Sequence, residues 1–268
     1  MRLLCGVPTE IACTPGALDP FAALTPTDSP AEVRLEVAPA ARLPRRSGAL
    51  LFRGPDFEVR EDRRHLELRL SEAGRSVAHC RLTAEGGTLL LRPGLSPSER
   101  ALVHELLPEL VVAHLWPLRG LAYLHAAAAL GPRGARLLLG PSGRGKSTAA
   151  RLLAAAGEPT ICADRCAVSP RARWVAAAPW HGGEPSAGRR VALAEIFALS
   201  REGPSRLRRL TPAEAVAALS ATAFLPRWWP AGLEAGLDAL VALAAAVPLF
   251  ELCAPPDERL VLQVLEAA

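Results

Sequence analysis

Ala135-Arg136-Leu137-Leu138-Leu139-Gly140-Pro141-Ser142-Gly143-Arg144-Gly145-Lys146-Ser147-Thr148 is the stretch from which the rest of the chain is best read. Ala135 to Leu139 is short and largely apolar, reads as a buried strand, and runs straight into Gly140. Gly140, Gly145, Lys146 and Ser147 meet the pattern GxxxxGK[ST]. Lys146 to Ala156 reads as a helix stopped by Gly157, a residue that takes the left-handed cap conformation without strain. Strand, glycine loop and helix are the setting in which this pattern holds phosphate. Glycines let successive backbone N–H groups curl round a phosphate with no Cβ in the way. The helix N-terminus adds its positive end. Lys146 is placed to reach the β- and γ-phosphates as a compact charge, and Ser147 to offer its hydroxyl to Mg²⁺. Gly140, Ser142, Gly143, Arg144, Gly145, Lys146, Ser147 and Thr148 are therefore the expected nucleotide-binding residues, with Arg144 in a variable slot facing solvent.

Composition sharpens one of these positions. The 31 basic residues are 30 Arg and a single Lys, the chain has no Asn, and Ala is abundant, as in the coding bias of a GC-rich genome. The one lysine kept is Lys146. Arginine differs from lysine in size and hydrogen-bond geometry, so a lysine surviving this bias marks a position that arginine does not fill.

Working outward, Leu121 to Leu130 reads as a second buried strand ahead of the loop, carrying His125. Further upstream, Ser96-Pro97-Ser98-Glu99 opens a helix by a capping box, with Pro117 as its stop. From 31 to 95 apolar residues alternate (Val33, Leu35, Val37; Leu66, Leu68, Leu70) between turn signals such as Gly54-Pro55 and Gly86-Gly87, which predicts a small, mostly antiparallel β region. The first 30 residues are rich in Pro and Thr and predict a loosely ordered start with one short strand. Downstream of the loop, Thr160 to Ala163 reads as a strand ending at Asp164, at the strand end where ligands bind in open α/β sheets. A strand pair about Pro170-Arg171, a strand over 191–199, helices from Thr211 and over 233–246, a strand over 248–252 and a short helix over 260–265 complete the chain. The division expected is a β-rich region at 1–98 and an α/β domain at 99–268.

Half of the 268 residues are apolar, enough for a sizeable core, and no apolar run reaches the roughly 18 residues of a membrane span. The N-terminus lacks a secretory apolar stretch, so a cytoplasmic protein with no membrane partner is expected. The six cysteines show no CxxC spacing and read as buried free thiols. A net charge of +4 with 4% aromatics gives no basic, aromatic-studded stripe for nucleic acid. The densest basic cluster, Arg206, Arg208 and Arg209, reads as a solvated face or a docking patch. Trp228 and Trp229 read as packing residues, while Glu195 and Arg189–Arg190 stay undecided.

Among phosphate-loop proteins, Ras-type GTPases need an Asn in their base-reading motif, which this chain lacks, and no LSGGQ-like signature of ABC ATPases is present. A small-molecule kinase remains open. Leu124-His125-Ala126-Ala127, the glycine loop, Asp164-Arg165, Pro179-Trp180-His181-Gly182 and Pro248-Leu249-Phe250-Glu251-Leu252 occur in an order that resembles the HPr kinase/phosphorylase family, and more closely its shorter relatives found beside peptide-modification genes, over roughly residues 100 to 255. The resemblance implies a P-loop α/β core with a mixed sheet, akin to that of ATP-dependent phosphoenolpyruvate carboxykinase. It implies ATP and Mg²⁺ as cofactors and γ-phosphate transfer to a serine of a protein or peptide acceptor, and it leaves room for a homo-oligomer. On the matching positions Lys146, Asp164 and His125 take catalytic roles, Ser147 and Asp164 the metal, and His181 the substrate. One departure stands out. The family has two adjacent aspartates where this chain has Ala163 and Asp164. In the family one carboxylate helps the metal while the other takes the serine proton, so with one left both duties cannot be filled in the usual way. Either Asp164 serves the metal and His125 or His181 is the base, or the chain is a nucleotide-binding regulatory module that has lost transfer.

Overall fold

A computed structural model describes the chain except for residues 16, 23, 63–64, 179, 181–187, 201–205 and 254–268, so His181 and the expected helix over 260–265 lie outside the described residues. Two mixed sheets and four helices make up the described fold. Among the described residues no helix is long and apolar enough to cross a membrane.

The first sheet has nine strands: β1 (Arg2–Leu4), β2 (Val7–Cys13), β3 (Thr25–Pro26), β4 (Val33–Pro39), β5 (Ala49–Arg53), β6 (Phe57–Glu61), β7 (Leu66–Glu72), β8 (Arg75–Thr83) and β9 (Gly86–Leu91). They lie in the order β3-β1-β2-β4-β9-β8-β7-β6-β5, antiparallel except for β2–β4 and β4–β9. The loosely ordered start expected from sequence is corrected here: the first 30 residues supply three strands of this sheet. Pro8 is compatible with that because the ladder from β2 to β4 begins one residue later, at Thr9. The alternating residues behave as read on one face, where Val33, Leu35, Val37, Leu66, Leu68 and Leu70 are buried. On the other face of β6 and β7, Glu58, Glu67 and Arg69 are buried too. The segment 44–47 crosses them: Arg46 Nε donates to Glu58 Oε1 at 2.5 Å, Ser47 bonds Glu67, and Arg69 bonds the Pro44 carbonyl. Buried charges of both signs are tolerated there because each finds a partner.

Helix α1 (Pro97–Leu118) lies against the apolar face of this sheet through Val103, Leu107, Val111 and Leu115. Its capping box forms as expected: the Ser96 side chain accepts from the Glu99 amide, and the Glu99 carboxylate from the Ser96 amide at 2.8 Å. Pro117 does not stop the helix, which runs one residue further before Gly120 reverses the chain at φ +67°.

The second sheet comprises β10 (Ala122–Gly131), β11 (Gly134–Leu139), β12 (Thr160–Cys162), β13 (Arg165–Ser169), β14 (Trp174–Ala177), β15 (Val191–Ser200), β16 (Arg206–Arg209) and β17 (Leu249–Cys253). β11 pairs in parallel with β15, and β15 in parallel with β17; the other pairings are antiparallel. β10, β11, β15, β14 and β13 follow one another round a closed circuit of pairings. Helix α2 (Lys146–Ala155) covers one side through Ala149, Ala150 and Leu153, against Ala127, Ala129 and Leu138. Helices α3 (Pro212–Ser220) and α4 (Pro230–Ala246) pack where Leu124, Ala126, Leu137 and Ile196 point, with Leu219, Leu240 and Leu243 in contact.

The core of the first sheet does not end at residue 98. It continues through α1 to Leu121, Tyr123, Ala167, Trp174 and Ala176 of the second sheet. Trp228 stacks on Phe52 with ring centroids 4.4 Å apart, and Trp229 Nε1 donates to Glu61 Oε1 at 2.7 Å. Both tryptophans are thus packing residues that tie the start of α4 to the first sheet.

Candidate functional site

The glycine loop joins the end of β11 to the start of α2. Gly140, Gly143 and Gly145 have φ of +155°, +78° and +95°. A Cβ at Gly143 would meet nothing within 4 Å, so there glycine answers to backbone conformation rather than to space. Gly145 is the N-cap of α2 and makes no side-chain cap bond, which leaves the first amides of the helix to other acceptors. Pro141, Ser142, Gly143 and Ser147 are exposed, and Thr148 is half-buried. Arg144, expected to face solvent, is half-buried, with its Cβ near Gly140.

Lys146 is 6% exposed, and its Nζ folds back to donate to the Gly140 carbonyl at 2.7 Å and the Pro141 carbonyl at 3.3 Å. Burial holds its ammonium below the ordinary lysine range, partly offset by the Asp164 carboxylate.

On one edge of β10, residues up to His125 pair with β13 and residues beyond it with β12; on the other edge β11 pairs from Ala126 onward, and the His125 amide donates to the Thr222 carbonyl at 2.8 Å. Directly across, β12 and β13 form one interrupted strand, and the interruption is Ala163-Asp164. The strand expected to reach Ala163 therefore stops at Cys162. The break turns Asp164 onto His125, whose Nε2 lies 2.8 Å from Oδ1. Arg165 Nη1 donates to Oδ2 at 2.6 Å, and its Nε to Glu109 Oε1 on α1 at 3.1 Å. The Arg165 guanidinium also lies over the Phe224 ring, 4.6 Å from its centroid. Burial and the nearby Lys146 ammonium hold His125 below the usual imidazole range, against the pull of Asp164.

Lys146, His125 and Asp164 thus fall within one another's electrostatic reach although they come from α2, β10 and the β12–β13 break. Glu109 and Phe224, which complete the cluster through Arg165, were not singled out by sequence. Glu109 lies 56 residues from Arg165 on a helix face that reads as ordinary surface.

The residues present fit a nucleotide with Mg²⁺. The loop offers cap-free amides and an exposed Ser147 hydroxyl, and Asp164 adds one carboxylate. The hydroxyl and the carboxylate are hard oxygen ligands, few in number, of the kind Mg²⁺ accepts when phosphate and water complete its shell. Among the described residues no three His, Cys, Asp or Glu side chains gather into a self-sufficient metal group.

Two residues left undecided by sequence have structural roles. Glu195 on β15 is 2% exposed and accepts from Arg136 Nε at 2.8 Å; Arg136 also pairs with buried Glu158. Arg190 donates to the Gly6 carbonyl, pairs with Glu32 at 2.6 Å and lies over Trp174 at 4.9 Å. The Arg206–Arg209 cluster forms β16 and is partly neutralised: Arg206 and Arg208 pair with Glu251, and Arg208 also with Glu214. All six cysteines are free thiols; five are buried and Cys13 is half-buried. No family model matches the chain, and no curated protein matches it.

Proposed function

We propose that the chain is an ATP-dependent serine kinase of the HPr-kinase-like type, built on a P-loop core, which transfers the γ-phosphate to a serine of a protein or peptide. The observation that carries this reading is the convergence of Lys146 with the His125–Asp164 pair at the glycine loop.

A phosphate chain entering the loop competes with the Gly140 and Pro141 carbonyls for Lys146 and draws its ammonium onto the β- and γ-phosphates. The amides at the start of α2 take phosphate oxygens. Ser147 and Asp164 would hold Mg²⁺, which when bound neutralises the phosphate oxygens. His125 donates from Nε2 to Asp164 Oδ1, so the lone pair of its neutral ring is at Nδ1. The acceptor hydroxyl attacks the γ-phosphorus, the bond to the β-phosphate oxygen breaks, and the serine proton passes to His125 Nδ1. The products are phosphoserine and ADP. Asp164 keeps the imidazole in the required tautomer.

The test is incubation with γ-labelled ATP, Mg²⁺ and serine-bearing peptides. Label on serine that is lost in Lys146→Ala supports the kinase; label on serine that persists in that variant sinks it. A second reading is a nucleotide-binding regulatory module without transfer. It is favoured by Ala163 and by the fact that both Asp164 oxygens are already engaged. That reading expects Mg²⁺–ATP binding with no labelled product, and gain of transfer in Ala163→Asp.

A further inference from the structure

Asp164 is the only carboxylate in the two-residue break between β12 and β13, and a lone carboxylate on a break rotates unless its neighbours hold it. Each of its oxygens has its own partner: Oδ1 meets His125 at 2.8 Å and Oδ2 meets Arg165 at 2.6 Å. Arg165 is itself braced, by Glu109 at 3.1 Å along its Nε edge and by the Phe224 ring against its face. A guanidinium presents donors in a rigid fork and stacks flat on an aromatic ring, so it transmits the position of α1 to the Asp164 carboxylate. A lysine ammonium would meet one carboxylate and leave the other loose.

Charge decides between a brace and a field effect. Arg165 taken alone would repel a cation near Asp164. Glu109 offsets part of that charge, so what the Glu109–Arg165 pair adds at the Asp164 carboxylate is chiefly orientation. We propose that Arg165, anchored by Glu109 and Phe224, is a positioning residue that fixes the Asp164 carboxylate for the divalent cation of the nucleotide. This rests on the nucleotide reading above. It explains how one aspartate serves where Ala163 offers no second carboxylate: a single ligand can suffice if its orientation is set in advance.

A merely structural ion pair, with side chains 18% and 17% exposed, contributes to stability and nothing to metal dependence. Calorimetric titration of ATP, with and without Mg²⁺, separates the two. The measured quantity is the gain in ATP affinity that Mg²⁺ confers. The double variant Glu109→Gln/Arg165→Gln removes the brace at constant net charge. It is expected to cut the Mg²⁺ gain by about 10- to 100-fold, as loss of a ligand's supporting partner does. Its affinity for metal-free ATP should stay within about twofold of the unmodified protein. In an Asp164→Asn background the same pair of changes should cost nothing further, because the brace acts only through that carboxylate. Arg165→Lys should lose most of the gain while keeping the charge. An unaltered Mg²⁺ gain in the double variant overturns the proposal. So does an equal loss for metal-free and Mg²⁺-bound ATP, or an additive loss with Asp164→Asn. If the unmodified protein binds ATP without any gain from Mg²⁺, the nucleotide–metal reading fails and takes the brace with it.

Discussion

At the scale of the residue, two basic side chains carry opposite kinds of information. Lys146 was singled out because its signal is local: a glycine spacing and its survival as the single lysine among 31 basic residues. Arg136 was not, because its partners Glu158 and Glu195 are 22 and 59 residues away. Substituting Lys146→Arg keeps the charge, but places a wider, planar group where 6% exposure leaves no room. ATP affinity should fall at least about tenfold, the equivalent of one lost charge-assisted hydrogen bond, with the unfolding midpoint little changed; calorimetry and urea unfolding measure the two. Arg136→Ala should do the reverse. It strands two buried carboxylates, at an expected cost of about 3–5 kcal/mol of stability in urea unfolding.

Elements were legible where their signals are short-range. The capping box at Ser96 forms as the sequence predicts, and a second closes at Thr211 where a helix start was read, because cap and partner are three residues apart. Ser96→Ala should cost about 1 kcal/mol, read from denaturant midpoints. The pairing of β10 at His125 was not readable, since its partners on the two edges, Arg165 of β13 and Thr222, lie dozens of positions away. Nor was the distant partner of His114, which the sequence places on the apolar face of α1. Its Nδ1 lies 2.7 Å from the Leu110 carbonyl, and its Nε2 accepts from Trp228 Nε1 at 3.2 Å, which fixes the neutral ring. Burial pushes its pKa down to about 4 from an ordinary 6.5. Above pH 6.5 the ring is neutral in both the folded and unfolded chain, and the full contribution to stability is present. Between 6.5 and 4 the unfolded chain binds the proton and the folded one does not, so stability falls with pH, by up to about 3 kcal/mol from this group. Urea unfolding at pH 7 and pH 4.5 should show a smaller loss for His114→Gln than for the unmodified protein; equal losses would contradict the assignment.

For the whole molecule, the sequence suggested a division near residue 98 because alternation gives way to helical spacing there. The packing crosses it. Val103, Leu107, Val111 and Leu115 of α1 are fully buried in a core that includes both sheets. Thermal unfolding followed by calorimetry should therefore show one transition. A fragment of residues 99–268 should lack dispersed amide resonances, because it exposes the face of α1 that the first sheet covers. Two separate transitions, or a well-dispersed fragment, would support the sequence-based boundary. The mixed α/β class was legible from the alternation of strand and helix signals, but the closed circuit of β10, β11, β15, β14 and β13 was not, because only distant pairings define it.

In the kinase proposed above, the glycine loop and the His125–Asp164 pair are two walls of one nucleotide site. Amide ¹H–¹⁵N spectra recorded while Mg²⁺–ATP is added test this most directly. Saturable shifts are expected at Gly143, Gly145, Lys146 and Ser147 together with His125, Asp164 and Arg165, following one binding curve that Lys146→Ala abolishes. Shifts confined to the loop, with the β10 and β12–β13 residues unmoved at saturation, would contradict it.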